Sequence, residues 1–195
     1  METTAIVILA AGSGSRMGAT KQLLPFGGRP LVRHAARIAL ASGARHVWVV
    51  VGHDAATVRA ALEGEPVSVV ENPDWHQGMG TSIRAGIGAL ADAGVDAAIL
   101  MLADQPMLTG GILGRLIAVR AETRAPVVAS AYSGTVGVPV LFGRERFPRL
   151  LALGNGEGCK GCILAEGPDA ILVPCAEAAV DVDTPEDYGR LGSRV

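Results

Sequence analysis

Ala5-Ile6-Val7-Ile8-Leu9-Ala10-Ala11-Gly12-Ser13-Gly14-Ser15-Arg16-Met17-Gly18-Ala19-Thr20-Lys21 is the stretch that decides the fold. Its first part is apolar at every position, the pattern of a strand buried on both faces of a parallel sheet. Its second part is a run of small residues with two cations, Arg16 and Lys21. Small residues let a backbone pass close to a ligand, and their exposed N–H groups can ring phosphate oxygens. Arg16 offers a planar fork of donors for phosphate and Lys21 a mobile point charge. The dinucleotide fingerprint GxGxxG and the P-loop pattern GxxxxGK[ST] are both missing here, because Gly12-Ser13-Gly14 has no third glycine at the required spacing and the loop runs on to Pro25 and Gly28.

Outward from this stretch, apolar runs alternate with helical patterns. Strands are expected at Ala5–Ala10, His46–Val51, Val67–Val70, Ala97–Ala103, Val127–Ser130, Val138–Phe142 and Ile171–Val173, with a last short one at Ala179–Val182. Helices are expected over Pro30–Ser42, Asp54–Leu62, Thr81–Ala93, Thr109–Thr123 and Pro185–Leu191. Ser130–Val138, with Ser133-Gly134, reads as a hairpin or excursion before the sheet resumes. Repeated β–α units imply right-handed crossovers and helices on both sheet faces. The fold class is therefore α/β, three-layered, with a mostly parallel sheet, in one domain over residues 1–195. In such sheets ligands sit beyond the carboxyl ends of the strands.

The 195 residues carry 17 basic and 19 acidic side chains, a net charge of −2. Such a chain has no global field for nucleic acid or an anionic membrane surface, so a bound anion must be held by a local device. Apolar runs stay far short of the roughly 20 residues of a membrane span. The Met1-Glu2-Thr3-Thr4 start has no positive region like that of an export signal, so a cytoplasmic location is expected. Cys159, Cys162 and Cys175 form no even disulfide framework, and no histidine follows to complete a zinc set, so they read as incidental thiols.

Asp104 follows Ile99-Leu100-Met101-Leu102-Ala103 and so ends a buried strand, where a carboxylate is well placed to hold Mg²⁺. Asp181 and Asp183 alternate on the short strand expected there; either can be the second ligand, with Asp183 favoured. Glu186 and Asp187 suit the first turn of the last helix and read as structural. Gly78-Met79-Gly80 reads as a loop feeding a helix N-terminus, an end that attracts anions or carbonyl oxygens.

Leu9-Ala10-Ala11-Gly12-Ser13-Gly14-Ser15-Arg16-Met17-Gly18, Lys21-Gln22-Leu23-Leu24-Pro25 and Gly28-Arg29-Pro30-Leu31 together resemble the signature LAAGxSxRMGxxKxLLPxxGxPL of the MobA-like nucleotidyltransferases, most closely their molybdenum cofactor cytidylyltransferase branch. Asn72-Pro73-Asp74-Trp75-His76-Gln77-Gly78-Met79-Gly80-Thr81-Ser82-Ile83-Arg84-Ala85-Gly86, Asp104-Gln105-Pro106, Gly137-Val138-Pro139-Val140-Leu141-Phe142 and Asp181-Val182-Asp183-Thr184-Pro185-Glu186-Asp187 are similar to later segments of that branch, in the same order. The resemblance implies a Rossmann-like nucleotidyltransferase fold. It implies transfer of a nucleotidyl group, with CMP passing from CTP to molybdopterin and pyrophosphate leaving.

In that reading Arg16, Lys21 and Asp104 are catalytic. The nucleotide is held by Leu9, Ala10, Ala11, Gly12, Gly14, Ser15 and Lys21, with Gly80, Ser82 and Arg84 toward the base and ribose. Mg²⁺ sits on Asp104 with Asp183 or Asp181. Trp75 and His76 can line the pocket. A molybdoenzyme partner would receive the product. Guanylyl transfer, a sugar- or polyol-phosphate acceptor, and a noncatalytic cofactor chaperone are the alternatives. Gly154-Asn155-Gly156-Glu157-Gly158-Cys159-Lys160 departs from a GDxGAR-like segment of the family, and there lysine cannot reproduce a bidentate arginine.

Overall fold

A computed structural model of the chain describes residues 2–191, the side chain of Arg16 excepted. Its first strand, β1, covers Thr4–Ala10 and is buried at every position. Side chains alternate across a strand. Ile6, Ile8 and Ala10 therefore enter one apolar core, while Ala5, Val7 and Leu9 enter another on the opposite face.

A small hairpin, β2 (Pro25–Phe26) and β3 (Arg29–Pro30), leads into helix α1 (Leu31–Leu40). There follow β4 (His46–Val51), α2 (Ala55–Ala61), β5 (Ser68–Glu71), α3 (Met79–Gly88), β6 (Ala97–Leu102) and α4 (Gly110–Thr123). The last part holds β7 (Val127–Tyr132), β8 (Thr135–Gly143), α5 (Phe147–Leu151), α6 (Lys160–Leu164), β9 (Ala170–Pro174) and α7 (Pro185–Leu191). The main sheet has seven strands in the order β5-β4-β1-β6-β8-β7-β9. β8 runs antiparallel to both its neighbours, and every other pairing is parallel. Residues of α1, α2 and α4 pack on one face; those of α3, α5 and α6 pack on the other. This is the three-layer, mostly parallel α/β architecture expected.

Local chemistry accounts for several boundaries. Thr109 caps α4 by accepting a bond from Ile112 N. Ser133 and Gly134 both have positive φ, at 48° and 72°, and turn β7 back into β8 as a two-residue hairpin. The excursion expected at Ser130–Val138 is thus this hairpin, and both strands run further than their apolar runs. α3 starts earlier than Thr81 and ends before Ala93. Beyond Ala89 the amides bond three residues back, Leu90 N to Ile87 O and Ala93 N to Leu90 O, so the chain tightens and leaves the α form.

The strand expected at Ala179–Val182 does not form. Ala176–Ala179 is a single 3-10 turn, and the chain then runs across the carboxyl ends of the sheet. β6, the strand it approaches, is already paired on both sides by β1 and β8, so no ladder edge is available. The segment makes one backbone bond there instead, Val182 N to Asp104 O at 3.0 Å. Val182 itself is fully buried against Leu31 and Leu191.

Candidate active site

The loop that follows β1 is held from beneath. Gln22, only 3% exposed, donates from Nε2 to the Gly12 carbonyl at 2.7 Å. On the other side Ala11 O accepts from His53 N at 2.9 Å. Gly14 adopts φ 61°, ψ 36° ahead of a 3-10 turn at Ser15–Met17, a left-handed conformation suited to glycine. The backbone of Arg16 lies in that turn, and its side chain lies outside what the structure describes. Gly12, Gly14 and Ser15 border a niche of about 140 Å3 together with Lys21 and Asp183.

This niche opens beside a larger cleft of about 460 Å3 at the carboxyl ends of β1 and β6. Leu9, Ala11, Gly12, Ser82, Asp104, Asp181 and Asp183 all face the cleft, as do Trp75 and His76. Ala10, by contrast, is buried in the core on the far side of the sheet, with its side chain away from the cleft. Trp75 is braced by His53, with ring centroids 5.0 Å apart in an edge-to-face arrangement.

Lys21 stands at the junction of niche and cleft. Its Nζ donates to Asp104 Oδ2 and, at 3.0 Å, to Asp183 Oδ1. Burial pulls the ammonium's pKa down, but the charges and hydrogen bonds of Asp104 and Asp183 outweigh that and raise it above 10.5. The lysine is therefore a fixed cation. Asp104 keeps its other oxygen, Oδ1, buried and without a hydrogen-bond partner. Burying an unpaired carboxylate oxygen is costly, so a ligand that satisfies it gains that cost back. Asp181, more exposed, has its pKa raised by partial burial first, then by the charges of Asp183 and Asp104.

These features fit a hard divalent cation. The donors are carboxylate oxygens, one of them orphaned. Among the described residues no group of three or more His, Cys, Asp or Glu side chains forms a ready-made cage. Such an ion takes one or two protein carboxylates and completes its shell with water and phosphate oxygens. Asp104 and Asp183 would hold it, with Asp181 within the same acidic rim.

The Gly78–Ser82 segment is arranged by Asn72, buried at 3% exposure. Its Nδ2 donates to Thr81 Oγ1 at 2.8 Å and to Ser82 Oγ at 3.0 Å. Ser82 thus receives a bond from behind and keeps its own proton for the cleft. Gly80 and Arg84, expected toward the base and ribose, are both bonded to the loop after α5. Gly80 N donates to Asn155 O at 2.8 Å, and a Cβ on Gly80 would stand 2.0 Å from Gly154 O. Arg84 donates to Leu153 O and, at 2.6 Å, to Asn155 Oδ1. Both residues serve the seam between α3 and the 153–157 loop.

Three supports were not singled out in the sequence: Gln22, Asn72 and Gln105. Gln105 is 3% exposed and donates to Ala178 O at 2.9 Å, tying the 176–179 turn to the end of β6. The available signal was a carboxamide set among apolar neighbours beside a charged site residue, as in Lys21-Gln22-Leu23 and Asp104-Gln105-Pro106. The cysteines lie away from the cleft. Burial pushes the Cys159 thiol up to about 12, far from a reactive thiolate. Among the described residues no helix is long and apolar enough to cross a membrane.

Comparison with known proteins bears on the family and the fold. The chain is 34% identical to nicotine blue oxidoreductase of Paenarthrobacter nicotinovorans over 95% of its own length and 94% of that protein's. It is 32% identical to purine catabolism protein PucB of Bacillus subtilis (strain 168), covering 93% and 92%. Its fold matches the crystal structure of Rv0371c from Mycobacterium tuberculosis H37Rv with a TM-score of 0.84, at 29% identity and 97% coverage of both chains. A second structure of Rv0371c, in complex with manganese, matches with a TM-score of 0.76 over 100% of both chains. The model of the MobA-like NTP transferase domain matches residues 6–171, and the chain belongs to that nucleotidyltransferase family.

Proposed function

We propose that this protein transfers the cytidylyl group of CTP to a molybdopterin-type acceptor, releases pyrophosphate, and uses Mg²⁺ or Mn²⁺ as its metal. The observation that carries the reading is the Lys21–Asp104–Asp183 cluster beneath the glycine loop, with Asp104 Oδ1 buried and unpaired.

An oxygen of the acceptor's phosphate attacks the α-phosphorus in line, and the bond to the β-phosphate oxygen breaks. Such a transfer calls for positioning and charge neutralisation rather than a protein nucleophile. The backbone N–H groups of Gly12–Gly14 ring the β- and γ-phosphates, with their frame set by the Gln22 bond to Gly12 O. Lys21 stays protonated across the working range, and its ammonium moves the short distance from the two carboxylates to a non-bridging α-phosphate oxygen. Arg16 takes the leaving pyrophosphate. The nucleoside lies toward Leu9, Ala11 and Ser82, where the Ser82 hydroxyl donates to it. When bound at Asp104 and Asp183, the divalent cation supplies charge neutralisation on the phosphates and orients them.

The preference for CTP rests on Ala10-Ala11, where guanylyl-transferring relatives carry Ala-Gly or Gly-Gly. The molybdopterin acceptor rests on the ordered segments shared with the cytidylyltransferase branch. A matrix of four ribonucleoside triphosphates against molybdopterin, hexose 1-phosphates and polyol phosphates, read as pyrophosphate release, tests both. Release with CTP and molybdopterin is the expected result. Release with GTP, or with a hexose 1-phosphate alone, would replace the nucleotide or the acceptor respectively.

A further inference from the structure

Trp75 is set in place by bonds and by packing. Asn72 N donates to Val51 O at 2.8 Å at the end of β4, and Asn72 Oδ1 accepts from Asp74 N at 3.0 Å. These bonds carry the chain into the 3-10 turn Trp75–Gln77 that precedes α3. The indole then fills the space left by Gly52. A Cβ on Gly52 would stand 2.6 Å from Trp75 Cβ, 2.7 Å from its Cγ and 2.9 Å from Ala11 Cβ. Trp75 and Ala11 are therefore neighbours around a glycine whose missing side chain lets them meet. His53 and His76 pack against the indole in edge-to-face arrangements, with ring centroids 5.0 and 6.0 Å away.

So placed, Trp75 faces the cleft while only half-buried, and Met79 faces it from the first turn of α3 at 46% exposure. Leaving two large apolar side chains wet at the wall of a cleft is unfavourable, and a flat ring laid over them recovers that free energy. A methionine beside such a ring adapts its shape to it. Ala11 leads directly into the glycine loop, with Lys21 and Asp104 at the far side of the same cleft. A ligand with its phosphates at that loop thus extends its ring past Ala11 onto Trp75.

We infer that the Trp75 indole is the platform on which the nucleobase of the triphosphate stacks. The inference rests on the nucleotidyl transfer put forward above and adds to it a residue that binds the base. Every base presents a π-face, so such a platform supplies affinity without choosing among bases. The choice of CTP then belongs to polar contacts elsewhere in the cleft, and loss of the indole weakens all four ribonucleoside triphosphates alike.

The chain has two tryptophans, Trp48 and Trp75, which makes the first test direct. In Trp48→Phe the emission comes from Trp75 alone. Titration with CTP and Mg²⁺ should quench it saturably, whereas inorganic tripolyphosphate and Mg²⁺ should not. In calorimetry Trp75→Ala should bind each of the four triphosphates about 10- to 100-fold more weakly, in an unchanged order, and bind tripolyphosphate as wild type does. Trp75→Phe keeps an aromatic face and should lose no more than about threefold. The fluorescence test leaves Trp75 in place, so it stands even if Trp75→Ala does not fold. Equal quenching by tripolyphosphate and CTP would overturn the inference, as would an equal loss of both ligands in Trp75→Ala. CTP affinity undiminished in Trp75→Ala would defeat the inference alone, and a raised acceptor KM in that variant would then assign the platform to the acceptor. A wild-type protein that binds none of the four triphosphates would defeat the nucleotidyl transfer as well.

Discussion

Val182 N donates to Asp104 O at 3.0 Å, and this backbone bond brings the C-terminal segment onto the end of the central strand β6. Through it Asp183 comes within reach of Lys21, and Asp181 joins the rim of the same cleft. The acidic half of the site is therefore assembled from two distant parts of the chain by main chain, with Gln105 holding the preceding turn. A site fixed this way is preorganised before any ligand arrives.

Replacing Asp104 by Asn should leave the fold intact and lower turnover by about 10²–10⁴-fold, because the carboxylate that neutralises and orients charge is gone. Circular dichroism and pyrophosphate release measured on the same preparation check this. Retained turnover would place the metal elsewhere.

Lys21 occupies the charge position that a divalent cation would share. Lys21→Met should therefore bind Mn²⁺ alone about tenfold more tightly than wild type, yet lose turnover by about 10²-fold or more. Titration of free Mn²⁺ by electron paramagnetic resonance reads the first effect. Equal Mn²⁺ affinity would show that the ammonium and the ion do not compete.

Asp181 carries a raised pKa, so its contribution to stability is present below its unfolded value of 3.8 and lost as pH rises through the folded one. At neutral pH its charge works against the ligand-free fold, weakly because the side chain is largely exposed. Asp181→Asn should raise Tm by about 1–3 °C at pH 7. The gain should vanish near pH 3, where both proteins are uncharged at this position. Thermal scans at the two pH values check the sign.

Much of this arrangement was legible in the sequence. The fully apolar β1, the glycine loop, and an aspartate directly after β6 follow from periodicity and from the rule that ligands sit at strand ends. What periodicity could not supply was tertiary. The Ala179–Val182 run has strand composition, but the strand it meets has no open edge. Arg84 is expected toward the base and ribose, and its partners include a carbonyl and a carboxamide on a loop far along the chain. The hairpin at Ser133-Gly134 was written in its turn residues, whereas its strand ends carry half-buried residues without an apolar run.

Cys159, pushed up to about 12 by burial, should resist alkylation at pH 8 on the native protein and react fully in denaturant. Peptide mapping after iodoacetamide treatment checks this. Rapid native labelling at Cys159 would show that the α6 region opens readily and reinstate thiol chemistry there.

Calorimetric titration of the protein with each of the four ribonucleoside triphosphates, with and without Mg²⁺ or Mn²⁺, alongside Asp104→Asn, reads nucleotide and metal binding at this cleft together. Saturable uptake of one nucleotide per chain is expected, strongest for CTP, dependent on the metal and abolished in the variant. Absence of metal-dependent binding with every nucleotide, or binding undiminished in Asp104→Asn, would contradict it.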